Sequence, residues 1–294
     1  GLGDVYKRQP YLRMDYKLNS KWSFNYLRSR YMNLVRKKTY NTVEGYYQPK
    51  GFLANYITYQ PNKKFSLSFF EGSTWSMGDS LSTKAVNPLF FAPIPGIVLL
   101  TKSNETYSIY GFNVSYVLGL NYRFYSQFAI GNGGEQQFAA QIGVRAYNLM
   151  KLKNSLIQVE FNMASKNMYT SSNARLNYSN YNLPIAHIRG TGFKELLVRF
   201  NWEYKRCYID MKSSNYFQSD YNSDALLPVR LANQLQSGII LNEQLEVGFR
   251  FNPKLNVNIF GSLLWRNEIF DVTKSNLIFQ AGIRTGLMSQ YNDY

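Results

Sequence analysis

His187 is the sole histidine of this 294-residue chain, and no carboxylates cluster around it at ligand-like spacing. No metal site and no cofactor is therefore expected. Cys207 is the single cysteine, which excludes an internal disulfide or a cysteine-based zinc cluster and leaves it as a small apolar filler. Two groups of residues retain chemical interest. One is the segment Asn177-Tyr178-Ser179-Asn180-Tyr181-Asn182-Leu183-Pro184-Ile185-Ala186-His187. The rings of Tyr178 and Tyr181 could pack on pyranose faces, and Asn182 and His187 could exchange hydrogen bonds with hydroxyls. The same residues also suit a plainer role, since Asn and Pro form turns and one His can pin a long loop. The other group is a set of arginines, Arg123, Arg145, Arg199, Arg250 and Arg284, spread from residue 123 onward.

The elements that must position these residues are strands. Tyr contributes 25 residues and Phe 20, while charged residues are only 17%, a balance that favours strands and turns over helices. Apolar and polar residues alternate with period 2 along many segments. Leu12, Met14, Tyr16 and Leu18 alternate with Arg13, Asp15 and Lys17, and Trp22, Phe24 and Tyr26 with Ser23 and Asn25. Phe112 to Leu118, Tyr122 to Ile130, Leu196 to Tyr204, Leu245 to Phe251 and Leu255 to Trp265 repeat the device. Many segments reach about ten residues, the length of a tilted membrane-crossing strand, whereas strands of soluble domains average about 5–6. Aromatics gather near segment ends, as at Tyr11, Trp22, Tyr122, Trp202, Tyr204 and Trp265, where an interfacial girdle would sit. No apolar run approaches the roughly 20 residues of a spanning helix. The mean hydropathy of -0.34 is compatible with barrel strands, half of whose side chains face a polar interior.

Short turns near residues 20, 62, 119, 151, 205 and 253 alternate with longer loops near 32–43, 71–105, 131–136, 165–193, 213–240 and 267–275. The expected fold is an all-β, antiparallel, up-and-down transmembrane barrel in one domain, 10–294, with about 13 visible strands and its short turns on the periplasmic side. An even strand number then calls for at least one strand upstream, so the barrel is read as N-terminally truncated, with residues 1–9 as non-native adapter sequence. The terminal aromatic Tyr294 fits recognition by barrel-assembly machinery.

The formal charge of +15 would suit nucleic acid or an anionic surface. Nucleic acid is excluded, because the aromatics follow the apolar period instead of forming a stacking or groove-reading module. Arg123, Arg145, Arg199, Arg250 and Arg284 all fall on the polar face, together with Asp15, Glu160, Glu203 and Glu246. They form either a lattice of cross-strand ion pairs or a cationic track for an acidic polymer. An outer-membrane phospholipase would place its nucleophilic Ser two residues after the His; here the run is His187-Ile188-Arg189. No enzymatic activity is expected.

The segment Tyr178–His187, followed by Gly192-Phe193-Lys194-Glu195, resembles the Tyr-x-x-Tyr-Asn-x-Pro-x-Ala-His loop of the RemB/Wzi-like outer-membrane proteins of Bacteroidota. Phe70-Glu71-Gly72 with Asn87-Pro88-Leu89-Phe90-Phe91 adds a looser likeness. The resemblance implies a bacterial outer-membrane protein in contact with lipid and lipopolysaccharide. It also implies capsular or other surface polysaccharide as partner, handled in capsule attachment or assembly, or else surface-associated gliding motility. On this basis Tyr178, Tyr181, Asn182 and His187 are candidate glycan-binding residues. A diffusion channel for small solutes is the alternative.

Overall fold

The computed structural model describes residues 10–35, 46–79, 82–83, 87–100, 106–134, 137–149, 152–219, 237–252 and 256–285. The adapter-like residues 1–9 and Tyr294 lie outside them. A 13-stranded sheet runs in chain order, every neighbouring pair antiparallel. Its strands are β1 Tyr11–Lys17, β2 Trp22–Val35, β3 Tyr46–Tyr59, β4 Phe65–Ser76, β5 Thr106–Leu118, β6 Tyr122–Gly131 and β7 Phe138–Tyr147. They continue as β8 Ser155–Ala164, β9 Phe193–Tyr204, β10 Cys207–Gln218, β11 Gly238–Asn252, β12 Val257–Ile269 and β13 Thr273–Arg284. The sheet is open, with β1 and β13 as its edges.

The anticipated strand number and order hold, and so do the short turns near 20, 62, 119 and 205; those expected near 151 and 253 lie outside the described residues. Two of them use one device: Asn19 Oδ1 accepts from the amides of Lys21 and Trp22 at 2.8 and 2.9 Å, and Asn62 Oδ1 from those of Lys64 and Phe65 at 2.9 Å each. An Asn side chain thereby stands in for the backbone acceptor that the chain loses as it reverses. The loop expected near 267–275 is a correction. The ladder of β12 and β13 runs on through Arg266, Asn267 and Glu268, so only residues 270–272 connect them. Ladder hydrogen bonds are made by backbone, and polar side chains do not end a strand whose partner continues.

One face of the sheet is apolar and open to its surroundings. Phe279 is 72% exposed and Ile142 64%, and Phe112, Phe128, Leu196, Met211 and Leu263 share that face. The other face carries buried Gln158, Glu160, Asn162 and Glu195, with Glu160 only 8% exposed. A water-soluble sandwich would be arranged the opposite way. Oily residues outside and polar residues inside fit a wall with lipid beyond it and water within. Trp22, Tyr122 and Tyr204 are exposed at the short-turn end, as a girdle requires. Cys207 is exposed as well, at the start of β10, and does not fill a core.

The apolar face has one exception. Tyr26, Asn55, Glu71 and Tyr110 are register partners across β2 to β5, and Tyr110 pairs with the outward Ile130. Tyr26, Asn55 and Glu71 thus lie on the outer side, yet all three are buried, as is Arg28. The segment 87–98 covers them. Arg28 donates to the carbonyls of Phe90 at 2.5 Å and Ala92 at 2.9 Å, Tyr26 to that of Phe91 at 2.8 Å, and the Gly96 amide to Glu71 at 2.8 Å. Trp75 lies flat across Gly51, where any Cβ would meet its ring at 2.0 Å, and stacks on Phe90 at 4.7 Å. Leu89, Phe91 and Ile94 of the same segment are exposed, so apolar surface is restored above the polar patch. The sequence reading has Tyr26 touching lipid; in the structure a returning loop stands between them.

Candidate functional site

The connection between β8 and β9, residues 165–192, turns back over the inner face and reaches β2 to β5. Lys50 Nζ donates to the Asn177 carbonyl at 2.6 Å and to Ser179 Oγ at 3.3 Å. Thr74 Oγ1 donates to the Leu176 carbonyl at 2.5 Å, and the Tyr181 amide to that of Met32 at 2.7 Å. Met168 and Leu176 sink into an apolar cluster with Tyr107, Ile109, Ala129, Ala139, Ala164 and Phe193, against which Tyr169 and Tyr178 pack. A segment that leaves between β8 and β9 and is tied to β2 spans the concave side of the sheet as a plug.

Within it, Asn180 pairs with Leu183 across a two-residue turn in which Tyr181 has φ 50° and Asn182 φ 60°. Two successive positive φ values define a type I′ turn. Tyr181 and Asn182 are thus turn residues, with Tyr181 set edge-on to Tyr47 at 5.4 Å and Asn182 buried. Tyr178 and His187 line a cavity of about 470 Å³ between the plug and the inner wall; the two turn residues do not line it. Burial in the plug pushes the Tyr169 hydroxyl up to about 12 and moves Tyr178 in the same direction.

The Arg189 amide donates to His187 Nδ1 at 3.2 Å, so that nitrogen carries no proton, and Nε2–H donates to Glu195 Oε2 at 3.1 Å. The ring stacks on Phe193 at 4.2 Å. With both nitrogens engaged by backbone and carboxylate, the imidazole holds the loop to β9 and is not positioned as a base for a nucleophile.

Three parallel inner rows cross the wall. The row nearest the plug runs Asn113, Gln127, Gln141, Asn162, Glu195, Tyr216 through successive register partners on β5 to β10. The next contains Tyr125, Gly143 and Glu160. The third, toward the short turns, runs Arg123, Arg145, Gln158, Arg199, Lys212. Within it Arg123 binds Ser115 at 3.0 Å, Arg145 binds Gln158 at 3.2 Å, and Arg199 pairs with Asp210 at 2.7 Å. Arg250 and Arg284 instead pair with Glu203 and Glu246, in a separate row joined through Asn258. The arginine set therefore divides: Arg123, Arg145 and the Asp210-paired Arg199, joined by Lys212, make a row richer in cations than in acids, and Arg250 and Arg284 lie in a separate row, both held in ion pairs. Lys212 and the amide row were not singled out from the sequence, although their inward parity was readable once the register of β5 to β10 was known.

No protein-family model and no curated protein matches the chain. Among solved structures it is similar to Escherichia coli Wzi, described as an outer membrane protein involved in group 1 capsule assembly and a carbohydrate-binding β-barrel. The TM-score is 0.58 at 13% identity, covering 89% of this chain and 55% of that one. The fold is that of an outer-membrane β-barrel. Pseudomonas aeruginosa OccD3 (OpdP) superposes with TM-score 0.49 at 10% identity over 93% of this chain and 67% of that one. OccD1 (OprD) gives 0.45 at 10%, over 94% and 68%. The barrel described here spans little more than half the length of the Wzi chain.

Proposed function

We propose that this protein is a non-enzymatic barrel of the bacterial outer membrane that holds or helps assemble surface polysaccharide, in a capsule or on a gliding cell surface. Its surroundings are outer-membrane lipid and lipopolysaccharide, and barrel-assembly machinery inserts it. The reading rests chiefly on the plug: residues 165–192 cross the inner face and are bonded to β2, β3 and β4, which leaves a sugar-sized cavity where an open channel would have a water column. The row of Arg123, Arg145, Arg199 and Lys212 adds affinity for an acidic polymer. The likeness in fold to a capsule-assembly barrel is consistent with this. The test is reconstitution of the full-length protein in planar bilayers, paired with deletion of its gene. The expected result is a silent bilayer, and cells that release surface polysaccharide they would otherwise retain. Steady conductance with unchanged polysaccharide would replace this reading with that of a solute channel.

A further inference from the structure

We infer that the cavity beneath the plug is a subsite for one neutral sugar unit, gripped by the amide row, while the cationic row takes acidic units of the same chain. The inference rests on the polysaccharide reading and adds to it a site, a ligand chemistry and a division of labour.

Two buried carboxylates fix the amides of this wall. Glu160 accepts from Tyr125 at 2.5 Å, Gln141 at 2.8 Å, Gln158 at 3.0 Å and Asn162 at 2.8 Å. Glu195 accepts from Asn162 at 2.8 Å and from His187 at 3.1 Å. Both N–H groups of Asn162 are thereby spent on carboxylates, and Gln141 is turned N–H first toward Glu160. Asn162 has only its carbonyl oxygen left to offer, and Gln141 its carbonyl oxygen and one N–H. Gln141 and Asn162 both line the cavity, so that wall holds two fixed carbonyl acceptors and one N–H, preorganised for hydroxyls, which donate and accept.

Beside the amide row the lining is aromatic. Tyr56 and Phe70 are register partners with parallel rings 6.3 Å apart, and Tyr169 and Tyr178 close the roof. Hydroxyls along one edge of a ligand and a C–H face beside them describe a pyranose ring. At about 470 Å³ the space falls within the range of small-molecule sites. An anionic sugar is disfavoured there, because Glu160 and Glu195 stand directly behind the amides. The cationic row lies four residues along each strand from the amide row, as with Gln141 and Arg145 or Glu195 and Arg199, about 13 Å at strand rise. That separation exceeds a single sugar unit, so one extended chain can occupy both rows.

The experiment uses the refolded full chain in detergent, with glucose, galactose, N-acetylglucosamine and maltose as neutral probes, galacturonate as the acidic one, and polygalacturonate as the polymer. Binding is read by saturation-transfer NMR and calorimetry. At least one neutral sugar is expected to bind, and Ala186→Trp, which fills the cavity from the exposed loop side, to weaken it tenfold or more. Gln141→Met should weaken it several-fold, and Arg145→Ala should leave it unchanged. A neutral sugar that binds equally to the wild type and Ala186→Trp, or no neutral binding at all, overturns the subsite. If polygalacturonate still binds and responds to Arg145→Ala, only the subsite falls. If neither sugar nor polymer binds, the polysaccharide reading falls with it.

Discussion

The ring of Tyr125 occupies the place that a side chain at Gly143, its register partner, would need. A Cβ added to Gly143 would lie 2.3 Å from Tyr125 Cζ. From there the Tyr125 hydroxyl reaches Glu160 at 2.5 Å, one of four donors that make a buried carboxylate tolerable in the wall. Gly143→Ala should therefore evict the ring and remove a hydrogen bond to a charged acceptor, worth about 1.5–3 kcal/mol. The folded fraction in a urea titration, followed by the gel shift of heated and unheated samples, should show a loss of that order. An unchanged midpoint would mean the ring has another place to go.

Lys50 is 1% exposed and holds the plug through Asn177 and Ser179. Lys50→Met keeps the aliphatic stem and removes three donors, leaving the Asn177 carbonyl without this partner. The barrel is expected to remain folded while the plug loosens. Planar bilayers should then show frequent openings, and limited proteolysis should cut within 165–192; a variant as silent and as resistant as wild type would show that the remaining contacts suffice.

Strand number, order and the short turns were legible because period 2 is set by the backbone and Asn19 and Asn62 announce their turns locally. What lay out of reach depended on contacts distant in sequence. Nothing near Tyr26 or Arg28 says that residues 90–92 return to cover them, and nothing near His187 says that Arg189 and Glu195 occupy both its nitrogens. Tyr181 and Asn182 looked like sugar contacts by residue type, and only the backbone, with φ of 50° and 60°, shows them as a turn. Arginines alternating correctly onto the inner face could not be sorted into paired and unpaired without the register that sets Arg250 near Glu203, Arg199 near Asp210 and Arg145 beside Arg123.

Arg145 has no carboxylate partner among the described residues and faces Arg123 across β6 and β7, whereas Arg250 is paired with Glu203. Loss of an unpaired cation in a wet interior should cost a polyanion about 0.5–1 kcal/mol, or roughly two- to fivefold in affinity. Arg145→Ala is thus expected to weaken polygalacturonate binding by that factor at low salt and to flatten its salt dependence, with Arg250→Ala changing it less. Equal effects of the two substitutions would count against a distinct cationic row.

The buried tyrosines of the plug should make it fail in alkali. Tyr169 is held neutral by burial, its hydroxyl raised to about 12 from 10, and Tyr178 moves the same way. A raised phenol means the folded loop retains protons that the released loop would lose, so the stabilisation is intact below about pH 10 and falls as pH climbs toward 12. Absorbance at 295 nm should show part of the tyrosine titrating late, and bilayer openings should become more frequent as pH rises from 10 toward 12. Onset of openings near neutrality would assign the plug's control to other groups.

Phe90 joins the outer strap to the wall: it is 6% exposed, stacks on Trp75, and its carbonyl receives Arg28 Nε. Phe90→Ala leaves that carbonyl in place but removes the ring that seats it, and Phe-to-Ala changes in packed sites cost about 3–5 kcal/mol. The consequence should differ between surroundings. In detergent micelles, where water reaches the wall, Arg28, Asn55 and Glu71 can be hydrated if the strap lifts, and stability should fall by no more than the packing loss. In a lipid bilayer the same lifting would present a guanidinium and a carboxylate to hydrocarbon, so the strap must stay down or the barrel must unfold. Refolding yields of Phe90→Ala should therefore drop further in vesicles than in micelles, and Arg28→Leu combined with Glu71→Leu should recover part of the vesicle yield. Equal losses in both media would place this face of β2 to β4 outside the lipid.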